Sequence, residues 1–547
     1  MTTGILGIAL SGLNAAQAAI RTTEHNIANV NTAGYRRQEV STSAQSPQYS
    51  GAGYFGTGVG IDTIRSVYNQ FLDNELLLNQ SQVASNEAYS SQAAQIDKLL
   101  GDAGSGLSTA LDSFFSAVNE LANDPTSDAS RQVLLSAGNN LAGRIGTLDG
   151  KFDNYITAAN NEVENIAMSV TNLSTQVAGL NNQISRSEAI GGQPANDLRD
   201  QRDQLIAQIN RLVNVSTLRQ ADGSLNVYIG NGQPLVVGGS ANAMTAVSDP
   251  SNNQLKQPAL TIGGVTISLA ASMVAGGQLG GVLGVRDEVV LPAVRELNRL
   301  ALAFADQFNT RHLLGFDKNG AAGTEFFTPV ATMLQQPQPF AGTSGAATLT
   351  LTDSSQLEAS DYLLSYDGAN FTLTRLSDGA SSTGGIGAVT TINGQDQGFT
   401  LAVAGEAAGD RWLVRPSADA AGLFDVAIAD PDAIAASGAS ADSPGDNSNA
   451  LALAGLRVNG GFGGVSFDGT YNALISRTAS LASESDLNLA AFTSLTAQAE
   501  SARQSASGVN LDEEAVNLIR FQQAYQASAK AIQVATTLFD ELLAMVR

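Results

Sequence analysis

Residues 508–547 read GVNLDEEAVNLIRFQQAYQASAKAIQVATTLFDELLAMVR, and the spacing of their apolar side chains decides how the rest of the chain is organised. Leu511, Ala515, Leu518, Gln522, Tyr525, Ala529, Ile532, Thr536, Phe539, Leu543 and Val546 follow at alternating steps of four and three, with only Gln522 and Thr536 polar among them. That is the repeat of a coiled-coil seam. Asn510 stands where it can cap the helix, Glu513 where it closes a capping box, and Asp512, Glu513 and Glu514 lie at the positive end of the helix dipole. The predicted helix begins after Gly508 and runs to the end of the sequence, so its apolar strip must be covered from elsewhere.

The other end of the chain supplies a match. Leu6, Leu10, Leu13, Gln17, Ile20, Glu24 and Ile27 repeat the same spacing through residues 3–30, where Arg21 and Glu24 are the charged side chains. Two such seams can pair with each other. A helix carrying Gly4, Gly7 and Gly12 is weak on propensity alone, so both ends are expected to gain order only by packing, against each other or against neighbouring copies.

Composition narrows the classes. The 547 residues hold 28 basic and 51 acidic side chains, a formal net charge of −23. Such a polyanion repels nucleic acid and anionic lipid, so neither is expected as a partner. With no cysteine there is no disulfide framework, thiol nucleophile or thiolate metal site. No window reaches the ~18 consecutive apolar residues of a membrane span, and no basic region leads into an apolar run as a cleavable signal would. Aromatic residues at 6% and 55 glycines suit long thin helical layers better than one thick core.

Between the two ends, the Asn-rich stretch from Asn26 to Arg37 reads as a turn redirected at Gly34, and residues 38–60 as an extended polar connector. Helix is expected again from near Ile64, with Val67, Phe71 and Leu78 on one face, to Leu100, and once more from Leu107 to Leu121. The longest periodic run starts near Arg131 and includes Leu141, Ile145, Leu148, Phe152, Ala159, Val163, Ile166, Val170, Val177 and Ile184. Gly191, Gly192 and Pro194 turn it into a returning helix with Leu198, Leu205, Ile209 and Leu212. Residues 215–239 alternate like strands around Asp222-Gly223 and Asn231-Gly232 turns, a pair of hairpins. A helix with Val290, Val294, Leu297, Ala301, Phe304 and Phe308 follows, Pro292 being tolerable in its first turn. Period-two patterning over residues 341–415 predicts a β insert, after which helices resume at Asn449 and over 470–506. The expected fold is therefore mainly α, elongated and multi-domain: paired terminal coiled-coil helices, a long antiparallel helical bundle and one small inserted all-β domain. The expected division is 1–60 with 508–547, 61–335 with 430–507, and 336–429.

No catalytic pattern emerges, and the chain is read as a non-enzyme with no cofactor and no metal. His25 and His312 are far apart and are expected to be capping or solvated. Gly51-Ala-Gly-Tyr-Phe-Gly56 matches GxGxxG but follows no buried strand and opens no helix, so it reads as a loop. Asp317-Lys-Asn-Gly320 departs from a calcium loop at its glycine, and Asp442 with Asp446 reads as an acidic solvated loop.

Both ends resemble flagellar axial proteins, the rod, hook and hook-associated family. The N-terminal likeness is Asn26-x-Ala28-Asn29-x-x-Thr32-x-Gly34-Tyr35-x-Arg37; the C-terminal one is densest in Gly508-Val-Asn-Leu511 and Arg520-Phe-Gln-Gln-Ala-Tyr525. The helical body, with Asn196-Asp-Leu-Arg-Asp-Gln-Arg-Asp-Gln-Leu205, Asn309-x-x-His312-x-x-Gly315-x-Asp317 and Asp446-Asn-Ser-Asn449, is similar to the hook-associated branch. The resemblance implies a secreted structural subunit at the extracellular junction of hook and filament, exported unfolded through the flagellar type III channel. It implies as partners further copies of itself, the hook protein, a second junction protein (hook-associated protein 3) and a cytoplasmic export chaperone on the C-terminal helix. Leu6, Leu10, Leu13, Ile20, Ile27, Leu511, Leu518, Tyr525, Ile532, Phe539 and Leu543 are then the expected assembly contacts, and Asn26, Asn29, Thr32, Gly34, Tyr35 and Arg37 the residues that fix where the chain leaves the inner layer. A hook or rod subunit is the alternative within the class, and a secreted adhesin working through the β insert the alternative outside it.

Overall fold

The computed structural model describes residues 2–49, 51, 53–101, 106–250, 252–439 and 445–546, with the side chains of Thr2, Thr3, Leu542, Leu543 and Val546 outside the described set. Helix α1 (Thr2–Ala28) passes through the Asn-rich turn into β1 (Gln38–Ala44), the short pair β2 (Gln48–Tyr49) and β3 (Tyr54–Phe55), and the return strand β4 (Val59–Ser66). β1 pairs antiparallel with β4 and β2 with β3. The expected connector is thus a β ribbon, and Ile64, expected to open a helix, lies in its return strand. Val40-Ser-Thr-Ser and Ile61-Asp-Thr-Ile are rich in β-branched residues but lack period-two alternation, which is why the ribbon was not expected. The helix starts later, at α2 (Gln70–Leu100), because the Asn69 side chain accepts from the Phe71 and Leu72 amides and caps it there. Phe71 and Leu78, expected to share one face, are both exposed, and the buried residues are Leu76, Ala93, Ile96 and Leu100.

The body follows as α3 (Leu107–Asn123), α4 (Asp128–Gly191) and α5 (Asn196–Leu212). The 64 residues of α4 make a rod of about 95 Å. Gly192 ends it in a left-handed conformation, φ 60°, which costs glycine nothing. Next come a four-stranded antiparallel sheet, β5 (Val215–Arg219), β6 (Leu225–Ile229), β7 (Gln233–Val237) and β8 (Ser240–Ala241), and a three-stranded one, β9 (Ala243–Ser248), β10 (Lys256–Ile262) and β11 (Val265–Ser268), with β10 central. Asn181 of α4, fully buried, ties the first sheet down by donating to the Leu225 and Gly238 carbonyls and accepting from the Leu225 amide. The second sheet was not expected.

Helix α6 (Gly277–Val285) continues through a π-turn, Arg286–Val290, into α7 (Leu291–His312). The helix therefore starts earlier than expected. Pro292 has no N–H to give to the turn before it, and the wider turn accommodates that loss. After α8 (Val330–Met333) the chain builds its β insert: β12 (Gln338–Pro339), β13 (Ala346–Leu351), β14 (Tyr362–Tyr366), β15 (Phe371–Arg375), β16 (Ser381–Gly384), β17 (Thr391–Ile392), β18 (Gln395–Asp396), β19 (Phe399–Ala404) and β20 (Arg411–Val414). Five strands form a sheet in the order β12-β20-β14-β15-β16, and β13 pairs with β19. Trp412, Tyr362 and Phe399 fill its interior, the indole donating to the Gly345 carbonyl. α9 (Ala420–Leu423) returns to the body, and α10 (Ser448–Asn459), α11 (Phe467–Ser507) and α12 (Leu511–Val546) complete the chain. α11 lies along α2, and α12 along α1. The fold is mainly α with a small inserted β domain.

The body core is an aromatic cluster in which Phe114, Phe304, Phe308, Phe326 and Phe327 meet edge to face. Three polar side chains staple the chain around it. Asn309 accepts from the Phe326 and Phe327 amides, Asn449 donates to the Ala435 carbonyl, and His312 accepts from the Ala435 amide with Nε2 while Nδ1 meets the Thr324 carbonyl. His312 is therefore a fully buried core residue, not a solvated one. Burial pushes its pKa from the usual 6.5 down to about 4. Below pH 6.5 the unfolded chain takes up a proton that the folded chain refuses, so this contribution is complete above 6.5 and disappears as pH falls through 4. About 3 kcal/mol is expected to be lost on that path. Urea unfolding of the body at pH 7, 5.5 and 4.5 measures it, and His312→Gln is expected to flatten the profile.

The acidic loops hold their own amides. Asp317 accepts from the Asn319 and Ala321 amides, and Asp446 from those of Gly438, Ala439 and Ser448. Asp442 lies outside the described residues.

Candidate assembly interface

Three elements run together at one end of the molecule: α1, α12 and the β1–β4 ribbon. The ribbon lies along α1, held at its base by Asn26 and farther along by Ser11, whose hydroxyl accepts from the Val59 amide at 3.1 Å. α12 begins where expected, Asn510 accepting from the Asp512 and Glu513 amides. Glu513 does not complete a capping box; its carboxylate is 3.1 Å from Arg37 instead.

The seam between α1 and α12 has the expected four-three spacing but sits one residue earlier on both helices. On α1 the residues turned inward are Ala9, Gly12, Ala16, Ala19, Thr23 and Asn26. On α12 they include Glu514, Phe521, Ser528 and Ala535. A Cβ on Gly12 would stand 3.0 Å from the Ser528 hydroxyl, which shows how closely the backbones approach. Small side chains permit that approach. The large apolar residues expected at the seam are displaced to its flanks. Leu6, Leu10, Leu511, Tyr525 and Phe539 are exposed in the protomer, and Leu13, Ile20, Ile27, Leu518 and Ile532 are half-buried; the side chain of Leu543 lies outside the described set. Ile5, Ile8, Val516, Ile519, Val534 and Met545 add to the uncovered surface, Ile519 at 57% and Met545 at 76%. α1 thus turns mainly small residues toward α12, which meets them with Ser528 and Ala535 besides Glu514 and Phe521, and both helices leave large apolar side chains uncovered.

The turn from α1 into the ribbon is fixed by the Asn-rich signature. Asn26, 1% exposed, donates to the Gln38 carbonyl and accepts from the Gln38 amide, both at 2.9 Å, as a neighbouring strand would. The Tyr35 hydroxyl donates to Asn26 Oδ1 at 2.8 Å and stands 2.9 Å from His25 Nδ1. Burial first, then Asp197 and Asp200, raise the phenol's pKa and keep it a donor. Asn29 donates to the His25 carbonyl, and Thr32 to Asn29. Gly34 has φ 78°, and Gln204 of α5 closes over it by donating to the Ala33 carbonyl. Arg37 donates its amide to the Ser507 carbonyl at the α11–α12 joint.

Besides Gln204, Gln38 donating to Asp197 and Asn196 donating to the Ile64 carbonyl, the charged residue that joins this end to the body is Arg36, which sequence reasoning passed over. Its guanidinium lies 2.5 Å from Asp203, 3.2 Å from Asp73 and 3.4 Å from Asp200, and 5.0 Å from the centre of the Tyr68 ring. All four charged side chains are largely buried. Burial works against the Arg36 charge, but the carboxylates, Asp203 foremost, more than reverse it. Arg202 of α5, itself fully buried, donates to the other oxygen of Asp203, so the carboxylate left least compensated is Asp200, where burial outweighs Arg36 and lifts the pKa to about 6. The signal was present in Arg36-Arg37 and in the Asp200-x-x-Asp203 spacing, which puts both acids on one face of α5.

No helix among the described residues is long and apolar enough to cross a membrane, and no group of three or more His, Asp or Glu there is placed to hold a metal. A protomer whose two ends pair through small residues and present large apolar ones outward is built as a structural subunit of the axial, polymer-forming class. Family models match along it: Flagella basal body rod protein at residues 6–36, the FlgK helical domain at 93–327, the D2-like domain of flagellar hook-associated protein 1 at 340–416, and the C-terminal part of the basal body rod FlgEFG proteins at 500–545. Flagellar hook-associated protein 1 of Escherichia coli (strain K12) is 34% identical over 98% of this chain and 99% of its own. The protein of the same name from Bacillus subtilis (strain 168) is 27% identical over 99% and 98%. The solved flagellar hook junction protein FlgK from Burkholderia pseudomallei shares the fold, with a TM-score of 0.71 over 79% of this chain and 100% of that one at 24% identity. The chain belongs to the flagellar hook-associated protein 1 family.

Proposed function

We propose that copies of this chain polymerise through their terminal helices into the junction between the flagellar hook and its filament, without catalysis. The observation that carries the reading is the uncovered apolar surface of α1 and α12, Ile5, Leu6, Ile8 and Leu10 around the first turns of one and Val516, Ile519 and Val534 along the other, with Phe539 near its end. Contiguous exposed surface of this kind is costly for a free molecule and marks an interaction site. Residues 1–60 with 508–547 serve as the assembly part, the ribbon carrying its first boundary to Ser66; the body then takes the rest of 61–335 with 430–507, and 336–429 is the outer β domain. The partners are neighbouring copies, the hook protein on one side and hook-associated protein 3 on the other. The protein is secreted, leaving the cell unfolded through the type III channel, and a cytoplasmic chaperone covers the α12 stripe beforehand, since that stripe would otherwise aggregate.

Ile519→Asp with Val534→Asp tests this. Both positions face away from α1, so the helical circular dichroism and unfolding midpoint of the protomer are expected to stay unchanged while its amount in isolated flagella falls at least tenfold. Ile532→Asp is a poorer probe, being half-buried beside the seam. Filaments of normal length and number on cells carrying the double variant would contradict the reading.

A further inference from the structure

The ribbon ends in an aromatic cluster that its own chain leaves uncovered. Tyr49 is 65% exposed, Tyr54 75% and Phe55 58%, and the two tyrosine rings lean on each other with centroids 5.4 Å apart. Between Glu39 and Asp62 the sequence holds no charged side chain, so this arm is neutral on a protein of net charge −23. On the same end of the molecule, α1, the ribbon and the first turns of α12 enclose a groove of about 400 Å³. Its floor is small, Gly12, Ala15, Ala16 and Ala19, and Phe521 forms one wall. Arg37, Glu39 and Glu514 stand at the groove too, polar partners for a phenol hydroxyl.

The aromatic tip and the groove belong to each other chemically, yet one molecule cannot bring them together. The ribbon runs along α1 toward the start of the helix: Gln38 meets Asn26, and Val59 meets Ser11. Its ladder continues outward through Gln45 and Gly58 to the Tyr49–Tyr54 pair. The tip therefore points past Ile8, away from the groove over residues 12–19, and turning it back would break that ladder. Like-charged copies repel, and an uncharged arm can enter a neighbour's groove, even one edged by Arg37, Glu39 and Glu514, without bringing like charges together.

We propose that the ribbon tip is an inter-subunit plug, Tyr49, Tyr54 and Phe55 of one copy entering the groove over Gly12–Ala19 of the next. The inference rests on the polymer reading above. Knob and hole lie on different surfaces of each copy, so the contact is head-to-tail and generates a ring or helix rather than a closed pair. Aromatic rings are the side chains that best anchor such contacts.

Replacing Tyr54 by p-benzoylphenylalanine keeps an aromatic ring at the tip and reports its neighbour on irradiation. Flagella isolated from cells making that protein are expected to yield covalent dimers and higher ladders, with cross-linked peptides mapping to residues 12–24 or 514–524. Tyr54→Asp with Phe55→Asp is expected to lower the protein's content in flagella at least tenfold while leaving the protomer's unfolding midpoint in place. Flagella that contain the photoreactive protein but give monomer alone, or cross-links elsewhere, would overturn the plug and leave the junction reading intact. Absence of even the unaltered protein from flagella would overturn both.

Discussion

Arg36→Met is expected to uncouple the terminal helices from the body. The substitution keeps much of the side chain's bulk and removes the cation from among Asp73, Asp200 and Asp203. Breaking a buried ion pair by deleting one partner typically costs about 3–5 kcal/mol, because the remaining charge has neither water nor a counterion. Here Asp73 and Asp200 lose their ion-pair partner, while Asp203 keeps Arg202. The damage should be local: α1, α12 and the ribbon lose their fixed angle to α2 and α5, and limited proteolysis is expected to cut at the exposed signature turn while the body stays resistant. Asp200 supplies a second readout. Its folded pKa, about 6, already lies above the usual carboxylate value, so its contribution favours folding at low pH and is lost as pH rises through 6. Without Arg36 that pKa climbs further, and the cut should be slower at pH 5 than at pH 8. Adding Asp73→Asn and Asp200→Asn to Arg36→Met, and leaving Asp203 to its second partner Arg202, is expected to restore most of the resistance, since removing both sides of a buried pair costs far less than removing one.

The second large effect is expected at the seam. A Cβ at Gly12 would already stand 3.0 Å from the Ser528 hydroxyl of α12, so Gly12→Leu must push the helices apart. Overpacking costs about 1–3 kcal/mol per site, enough to undo a pairing of two helices with no other core. Hydrogen exchange over residues 9–26 and 514–535 is expected to accelerate together. Leu10→Ala, at an exposed position, is expected to change protomer stability by no more than about 0.5 kcal/mol. If the leucine variant pairs normally and Leu10→Ala does not, the phase of the seam is wrong.

That phase is the main thing the sequence hid. The four-three rhythm at both ends was legible, as were the long α4, its Gly192 stop, the hairpins at Asp222-Gly223 and Asn231-Gly232, and the β insert. Hydrophobic weight put the seam on Leu6, Leu10 and Phe539, whereas the helices meet through Ala9, Ala16 and Ala535, one position earlier. In a chain that buries surface both within and between copies, the largest apolar residues need not face the intramolecular partner. Small residues decide that contact because they set how near two backbones can come. The ribbon was hidden for a related reason: a two-stranded arm lying on a helix has no continuous buried face, so its alternation is weak. His312 and Arg36 look like ordinary surface residues in sequence, and only the elements closing over them make one neutral and the other the hub of an ion cluster. Of the signature residues, Asn26, Gly34 and Tyr35 can be explained singly, by a strand-like pairing, a left-handed turn and a hydrogen bond to Asn26.

The central claim is that the terminal helices are completed only in the polymer. Amide hydrogen exchange of α1 and α12, measured on the purified protomer and on the same protein in isolated flagella, tests it most directly. Exchange of both helices well ahead of the body core in the protomer, and protection raised by at least a hundredfold in flagella, is the predicted result. Terminal helices as protected in the lone protomer as the Phe114–Phe327 core of the body would contradict it.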